Sequence, residues 1–223
     1  MPGSQAPDLV GAAHLAVIHS AEPDPILDEL DELLAEASDA QLQDLIDFFD
    51  DDDTPADLVL SCALDRSPLA RAAAAGSRRL PPEVLSEMSH DRRPIVIEYV
   101  ADNPATPPED LRRMAATWQG TGTWLLNNLT RNPSTPEDVI ISVIENNRSI
   151  EPAYACENPQ LTPRVARLLM DHYRTDPDKY WEVPAILRKA PTAPPDVRSE
   201  ALFAVKQNMA RWEQKRRAAN RGS

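Results

Sequence analysis

At 223 residues the chain has room for one or two domains with a buried core, and its apolar content of 42 % is ordinary. Its 22 prolines and 6 glycines together fall short of the Pro- and Gly-rich composition of a disordered chain. A formal net charge of −13 disfavours a surface built for polyanions, whose binding rests on dense cationic charge.

The charge is unevenly spread. Residues 1–65 hold 17 of the 36 acidic side chains and no Lys or Arg, which leaves 19 acids against 23 bases in residues 66–223, a net +4. Such asymmetry points to an interaction tail or a partner of opposite charge. No apolar run approaches the roughly 20 residues of a membrane span. Residues 9–18 form a short apolar stretch with no preceding Lys or Arg, so no signal peptide is expected. Cys62 and Cys156 do not make a disulfide framework. The expected compartment is the cytoplasm.

In chain order, residues 1–8 read as a frayed end and residues 9–18 as a helix or a docked strand, with helix preferred. Asp24 and Pro25 open a helix with Ile26, Leu27, Leu30, Leu33, Leu34 and Ala37 on one stripe. Asp28, Glu29, Asp31, Glu32 and Glu36 lie opposite. Ser38 or Asp39 caps another helix with Leu42, Leu45, Ile46 and Phe49 inward. These two helices are expected to form an acidic cap over residues 1–53. The acidic run at 50–53 reads as a solvated turn favouring the helix that follows. An EF-hand loop counted from Asp50 would need Gly at position 55 and Glu at position 61, where Pro55 and Ser61 stand.

From there a phrase recurs. It reads Asn103-Pro104-Ala105-Thr106-Pro107-Pro108-Glu109-Asp110-Leu111, then Asn132-Pro133-Ser134-Thr135-Pro136-Glu137-Asp138-Val139, then Asn158-Pro159-Gln160-Leu161-Thr162-Pro163. Degenerate copies start at residues 51, 77 and 190, giving intervals of 26, 26, 29, 26 and 32 residues. Thr is expected to cap the helix that follows, with Pro at its first position and an acid three residues after Thr. The helix is apolar on one face, as in Val139, Ile140, Val143 and Ile144. A polar turn and a second, shorter apolar segment follow. The next Asn is expected to close that segment in a left-handed conformation, with Pro preventing continuation. The eleventh residue after each start is Cys62, Met88, Met114, Val143, Leu169 or Ala201, all apolar, as a continuous core column requires. A period in this range with one helical unit per copy indicates a solenoid.

The Asn-Pro-x-Thr-Pro-x-x-hydrophobic phrase resembles the variant leucine-rich repeat, a bacterial helical solenoid related in shape to HEAT and armadillo arrays. The resemblance covers roughly residues 51–200. It implies an all-α, right-handed solenoid of about six short helix-turn-helix repeats over residues 54–205, followed by a basic helix or tail over 206–223. Asp110 and Arg198 stand where other copies are apolar, and the fifth copy carries an insertion near residues 176–179. Some members of that family carry an iron–sulfur module built on clustered cysteines, which two separated cysteines do not supply.

Residues with chemistry are sparse. His14 and His19 are five apart, the wrong spacing for one helical face, and His90 and His172 are isolated. No cluster has zinc-ligand spacing, and there is no Gly-rich phosphate loop or nucleophile elbow, so no catalytic residue, metal or cofactor is expected. His90 beside Asp91 is a candidate base and orienter, at a helix end where polar residues are ordinary. Arginines recur at one place in the repeat: Arg66 and Arg92 are fifteen residues from their starts and Arg148 sixteen. Arg66, Arg92, Arg93 and Arg148, extended by Arg112 and Arg113, are expected to form a ridge, because Arg's planar fork suits carboxylates at interfaces. The alternative is turn arginines paired with Asp65 and Asp91.

The expected role is a non-enzymatic scaffold binding an acidic protein segment, with no membrane partner. Two further readings stay open. The acidic N-terminus and the basic tail invite a homo-oligomer or an autoinhibitory contact. HEAT-like DNA glycosylases use Trp and a basic concave face, and Trp118, Trp124 and Trp181 leave nucleic-acid binding as the alternative. Burial inside the repeats is the commoner fate of such tryptophans.

Overall fold

A computed structural model describes residues 39–118, 124–146 and 150–219. The segments at 9–18 and 24–37, together with His14, His19 and Arg148, lie outside the described residues. Among the described residues there are twelve helices and no strand. The chain falls into two compact units, residues 1–118 and 119–223.

The first unit holds α1 (Asp39–Asp50), α2 (Ala56–Ala63), α3 (Pro68–Gly76), α4 (Pro82–Met88), α5 (Pro94–Asp102) and α6 (Pro108–Thr117). Helix α3 is its centre and packs on α1, α2 and α5. Close approach is possible because Ala72, Ala73, Ala74 and Ala75 present only methyl groups, and all four are fully buried. From α1 come Leu42, Ile46 and Phe49, as the sequence pattern required, while Leu45 is half-buried and Phe48 faces out.

The second unit holds α7 (Trp124–Arg131), α8 (Glu137–Asn146), α9 (Pro152–Cys156), α10 (Pro163–Thr175), α11 (Glu182–Leu187) and α12 (Pro195–Ala219). Here α7, α9 and α11 pack successively in one row, and α8, α10 and α12 in a second. Each short helix also touches a long neighbour, α7 on α8, α9 on α10, and α11 on both α10 and α12. This two-row ladder is consistent with an α-solenoid. Residue 206 is no boundary, since α12 runs unbroken through it.

The expected column positions are mostly buried in each unit. Met88 and Met114 in the first, and Val143, Leu169 and Ala201 in the second, are all buried; Cys62 is half-buried. Leu85 and Leu111 are fully buried beside them. Each such side chain stabilises the fold by about 1.5–3 kcal/mol relative to an exposed one.

Two local expectations are corrected. Asn103 is not left-handed: its φ is −72° and ψ 120°, and no described residue has positive φ. Its role is carried by the side chain, which reaches the preceding copy of the phrase. The carboxamide nitrogen donates to Ala75 O (2.7 Å) and Ser77 O (2.8 Å), while Oδ1 accepts from Ala105 N (2.9 Å). Asn158 repeats this with Thr130 O (3.0 Å), Asn132 O (2.9 Å) and Gln160 N (2.8 Å). Ala75 and Thr130 lie in the last turns of α3 and α7, where helix geometry leaves carbonyls without an internal partner.

Nor does Thr106 cap α6. The helix starts two residues later, and the hydroxyl points back to donate to Val100 O at 2.5 Å. Thr54 does the same to Phe48 O at 2.6 Å. The position they share is occupied by Leu80, Leu161 and Ala193 elsewhere, and all five residues are buried. Thr therefore fills a core position: Thr54 and Thr106 satisfy their own hydroxyls, whereas Thr135, buried at the same position, has no hydrogen-bond partner for its hydroxyl among the described residues. Thr162, one residue further along the phrase, does cap its helix by accepting from Val165 N (3.3 Å).

Where Asn gives way to Ser77, charged groups replace its bridge. Ser77 Oγ donates to Asp50 Oδ1 (2.7 Å), which also accepts from Arg78 N (2.8 Å). Arg79 donates to the carbonyls of Phe49, Asp51 and Thr54 at 3.3, 2.5 and 2.7 Å. Asp51 Oδ1 accepts from Asp53 N (2.8 Å), so Asp50 and Asp51 of the acidic run hold a turn.

Candidate functional site

Of the expected arginine ridge, Arg66 and Arg92 are exposed. Arg93 is half-buried, and its backbone N–H donates to Asp91 Oδ1 (2.9 Å). Arg112 lies 3.8 Å from Glu109 on the surface of α6. The guanidinium of Arg113 is engaged by Asp110 (2.8 Å) and Ser89, and so ties α6 to the end of α4. Asp110, a departure from the apolar pattern, is thereby accommodated although buried.

An arginine outside the expected set holds the turns in place. Arg71 is buried, with Nε and Nη2 on the two carboxylate oxygens of Asp91 at 2.7 and 3.2 Å. Its Nη1 donates to the carbonyls of Asp65 (2.8 Å) and Arg66 (3.0 Å). A lone cation inside Leu69-Ala70-Arg71-Ala72-Ala73-Ala74-Ala75 was the available signal, since a buried charge must find a partner. The pairing also answers the His90–Asp91 candidate. Both oxygens of Asp91 are taken by Arg71 and Arg93, and the His90 ring sits 3.2 Å from Ser86 O. These two residues are not arranged as a base and its orienter.

The surface with the features of a binding site lies in the second unit, where α12 leaves its supports. Val197, Ala201 and Ala204 on its first half are buried. Tyr173 on α10 donates to Asn208 Oδ1 (3.0 Å), and Arg174 grips Glu200 through two contacts of 2.8 and 2.6 Å. That hydrogen-bonded pairing pushes the Arg174 guanidinium pKa up. From Met209 to Arg217 every residue is exposed.

Over this stretch α12 carries Met209 and Trp212, each 61 % exposed, opposite Trp181 at 57 %. With Ala185 and Val205 these three line an open, mainly apolar cavity of about 410 Å³. Asp178 and Lys215 approach to 3.9 Å across it, and Arg211 and Glu213 complete the rim. Arg216 lies over the Trp212 ring at 5.5 Å. Trp181 borders a second cavity too, of about 510 Å³, with Pro152, Lys179 and Tyr180.

No family profile, curated protein or solved structure matches this chain.

The expected burial of the tryptophans is corrected for two of the three. Trp124 is 57 % exposed and meets the Tyr154 ring edge-on at 6.2 Å, with Arg131 5.8 Å from the same ring. Trp181 is equally exposed, while Trp118 is half-buried. Met209 and Trp212 belong to the site although sequence reasoning weighed only the cations around them. The available signal was two large apolar residues three apart in a stretch otherwise rich in Lys and Arg. Exposed apolar surface rimmed by polar groups marks an interaction site, and Trp, Met and Arg are the residue types enriched there.

Proposed function

We propose that the chain is a non-enzymatic interaction scaffold, a right-handed helical solenoid of the variant leucine-rich type, acting in the cytoplasm. About six repeats, an acidic N-terminal cap and the basic end of α12 compose it in this reading. Its partner is a helical protein segment with acidic side chains. The observation that carries the proposal is the Trp181–Met209–Trp212 cleft, an apolar floor beneath the cations of a helix that no described residue covers on that side. Arg66 and Arg92 offer a second cationic surface in the first unit for an extended partner. An amphipathic helix laid apolar face down, with carboxylates towards Arg211, Lys215 and Arg217, follows a common mode of helix recognition.

Fluorescence anisotropy with a labelled acidic amphipathic peptide tests this. Binding should weaken at least about tenfold on Met209→Ser with Trp212→Ser, the scale of an interface anchor. A scrambled peptide of the same charge that binds equally well would sink it.

A second reading rests on Arg211, Lys215 and Arg216 lying beside an exposed Trp212, with Lys206 and Arg217 on the same helix, a combination that suits stacked single-stranded bases. A labelled oligonucleotide in the same assay decides between them. Nucleic-acid affinity would fall steeply with salt.

A further inference from the structure

We infer that the cleft of α12 is filled by residues 24–37 of a second copy of this chain. The inference rests on the reading of that cleft as a site for an acidic helix, and it names the occupant. Three observations lead to it. The floor is apolar and open, and it is lined by Trp181, Val205, Met209 and Trp212, so the occupant must bring an apolar stripe. The end of α12 carries Lys206, Arg211, Lys215, Arg216 and Arg217 against two acids, Glu213 on the same stretch and Asp178 across the cleft, so the net charge there is positive and the occupant should be acidic. Residues 24–37 meet both demands in their sequence. Ile26, Leu27, Leu30, Leu33, Leu34 and Ala37 recur at helical spacing, and six carboxylates stand among fourteen residues without one cation.

The contact joins different surfaces of the two chains. It therefore closes as a reciprocal pair or runs on as a longer assembly, in either case with mass rising as concentration rises.

Sedimentation velocity on the full chain, from about 1 to about 100 µM, tests the inference. Wild type should exceed the monomer mass of 24.7 kDa. Leu30→Ser with Leu33→Ser, and separately Met209→Ser with Trp212→Ser, should each weaken association at least about tenfold. Met209 and Trp212 are exposed, so the second pair leaves the core intact. Mixing the two variants should restore one interface, because each retains the half that the other lacks. Raising salt from about 50 to about 500 mM should weaken association by screening. A monomer at every concentration overturns the inference, as does association indifferent to Leu30 and Leu33 or a mixture that stays monomeric. If the chain is monomeric and still binds a foreign acidic peptide through Trp212, only the identity of the occupant is lost. If neither occurs, the reading of the cleft falls too.

Discussion

Asn103 reaches back 26 residues to hold the carbonyl of Ser77 at 2.8 Å. The same carboxamide takes Ala75 O, and Asn158 makes the matching pair of bonds in the second unit. A single side chain thus satisfies a helix end, a turn and its own following loop. This explains why Asn, with two donors and an acceptor on one planar group, opens the phrase.

Asn103→Ala leaves Ala75 O and Ala105 N without this partner, and Ser77 O with only the longer bond from Leu80 N at 3.4 Å. At about 1–3 kcal/mol for an unsatisfied buried group, softened by relaxation, a loss of about 2–4 kcal/mol is expected. Asn103→Asp should cost more, since it turns a carboxylate oxygen towards those carbonyls. Urea denaturation gives both values. A loss below about 0.5 kcal/mol for the alanine variant would remove the bridge from any role in stability.

The Arg71–Asp91 pair joins residues 20 apart in a buried setting. Arg71→Met strands the carboxylate and should destabilise by about 3–5 kcal/mol. Arg71→Met with Asp91→Asn removes the stranded charge, so the double variant should be more stable than the single one. Additive losses would contradict a direct pairing.

Gly76 ends α3 without positive φ, so its conformational freedom is not needed there. The constraint is space. An added Cβ would meet Ile46 Cδ1 at 2.6 Å and Tyr99 Cδ1 at 3.1 Å. The helix-propensity gain of Gly76→Ala is at most about 1 kcal/mol, whereas overpacking costs about 1–3. Net destabilisation is expected, with partial recovery on adding Ile46→Val. A shift of the thermal midpoint upwards would refute the steric account.

The two thiols report on the two units separately. Cys156 is buried, and burial first, then the Glu157 carboxylate, pushes its pKa far up. Cys62 is half-buried and raised by burial and Asp65. With a thiol reagent near neutral pH, Cys62 should label first and Cys156 only as the second unit opens. Above the ordinary thiol value of 9.0 the unfolded chain releases the Cys156 proton while the folded chain keeps it. Stability is therefore full below that value and declines as pH rises beyond it. Cys156→Ala should lose less stability than wild type between about pH 8 and about pH 10. Equal losses would show that this thiol does not titrate differently on unfolding.

Helix positions, turns and apolar columns were legible in the sequence because they depend on neighbours a few residues away. Spacing placed Met88, Met114, Val143 and Leu169 in the core, and proline with polar runs marked the breaks. The roles of Asn103, Thr106, Arg71 and Gly76 depend on groups that stacking alone brings near. Local rules gave the Asn and the Thr the jobs of helix caps, whereas packing gave them a bridge and a core position. The same limit hid the cleft. Sequence recorded the cations of the last helix and the tryptophans, but the tertiary structure decided that Trp181, Met209 and Trp212 face one space, because α12 outruns the helices that bury its first half.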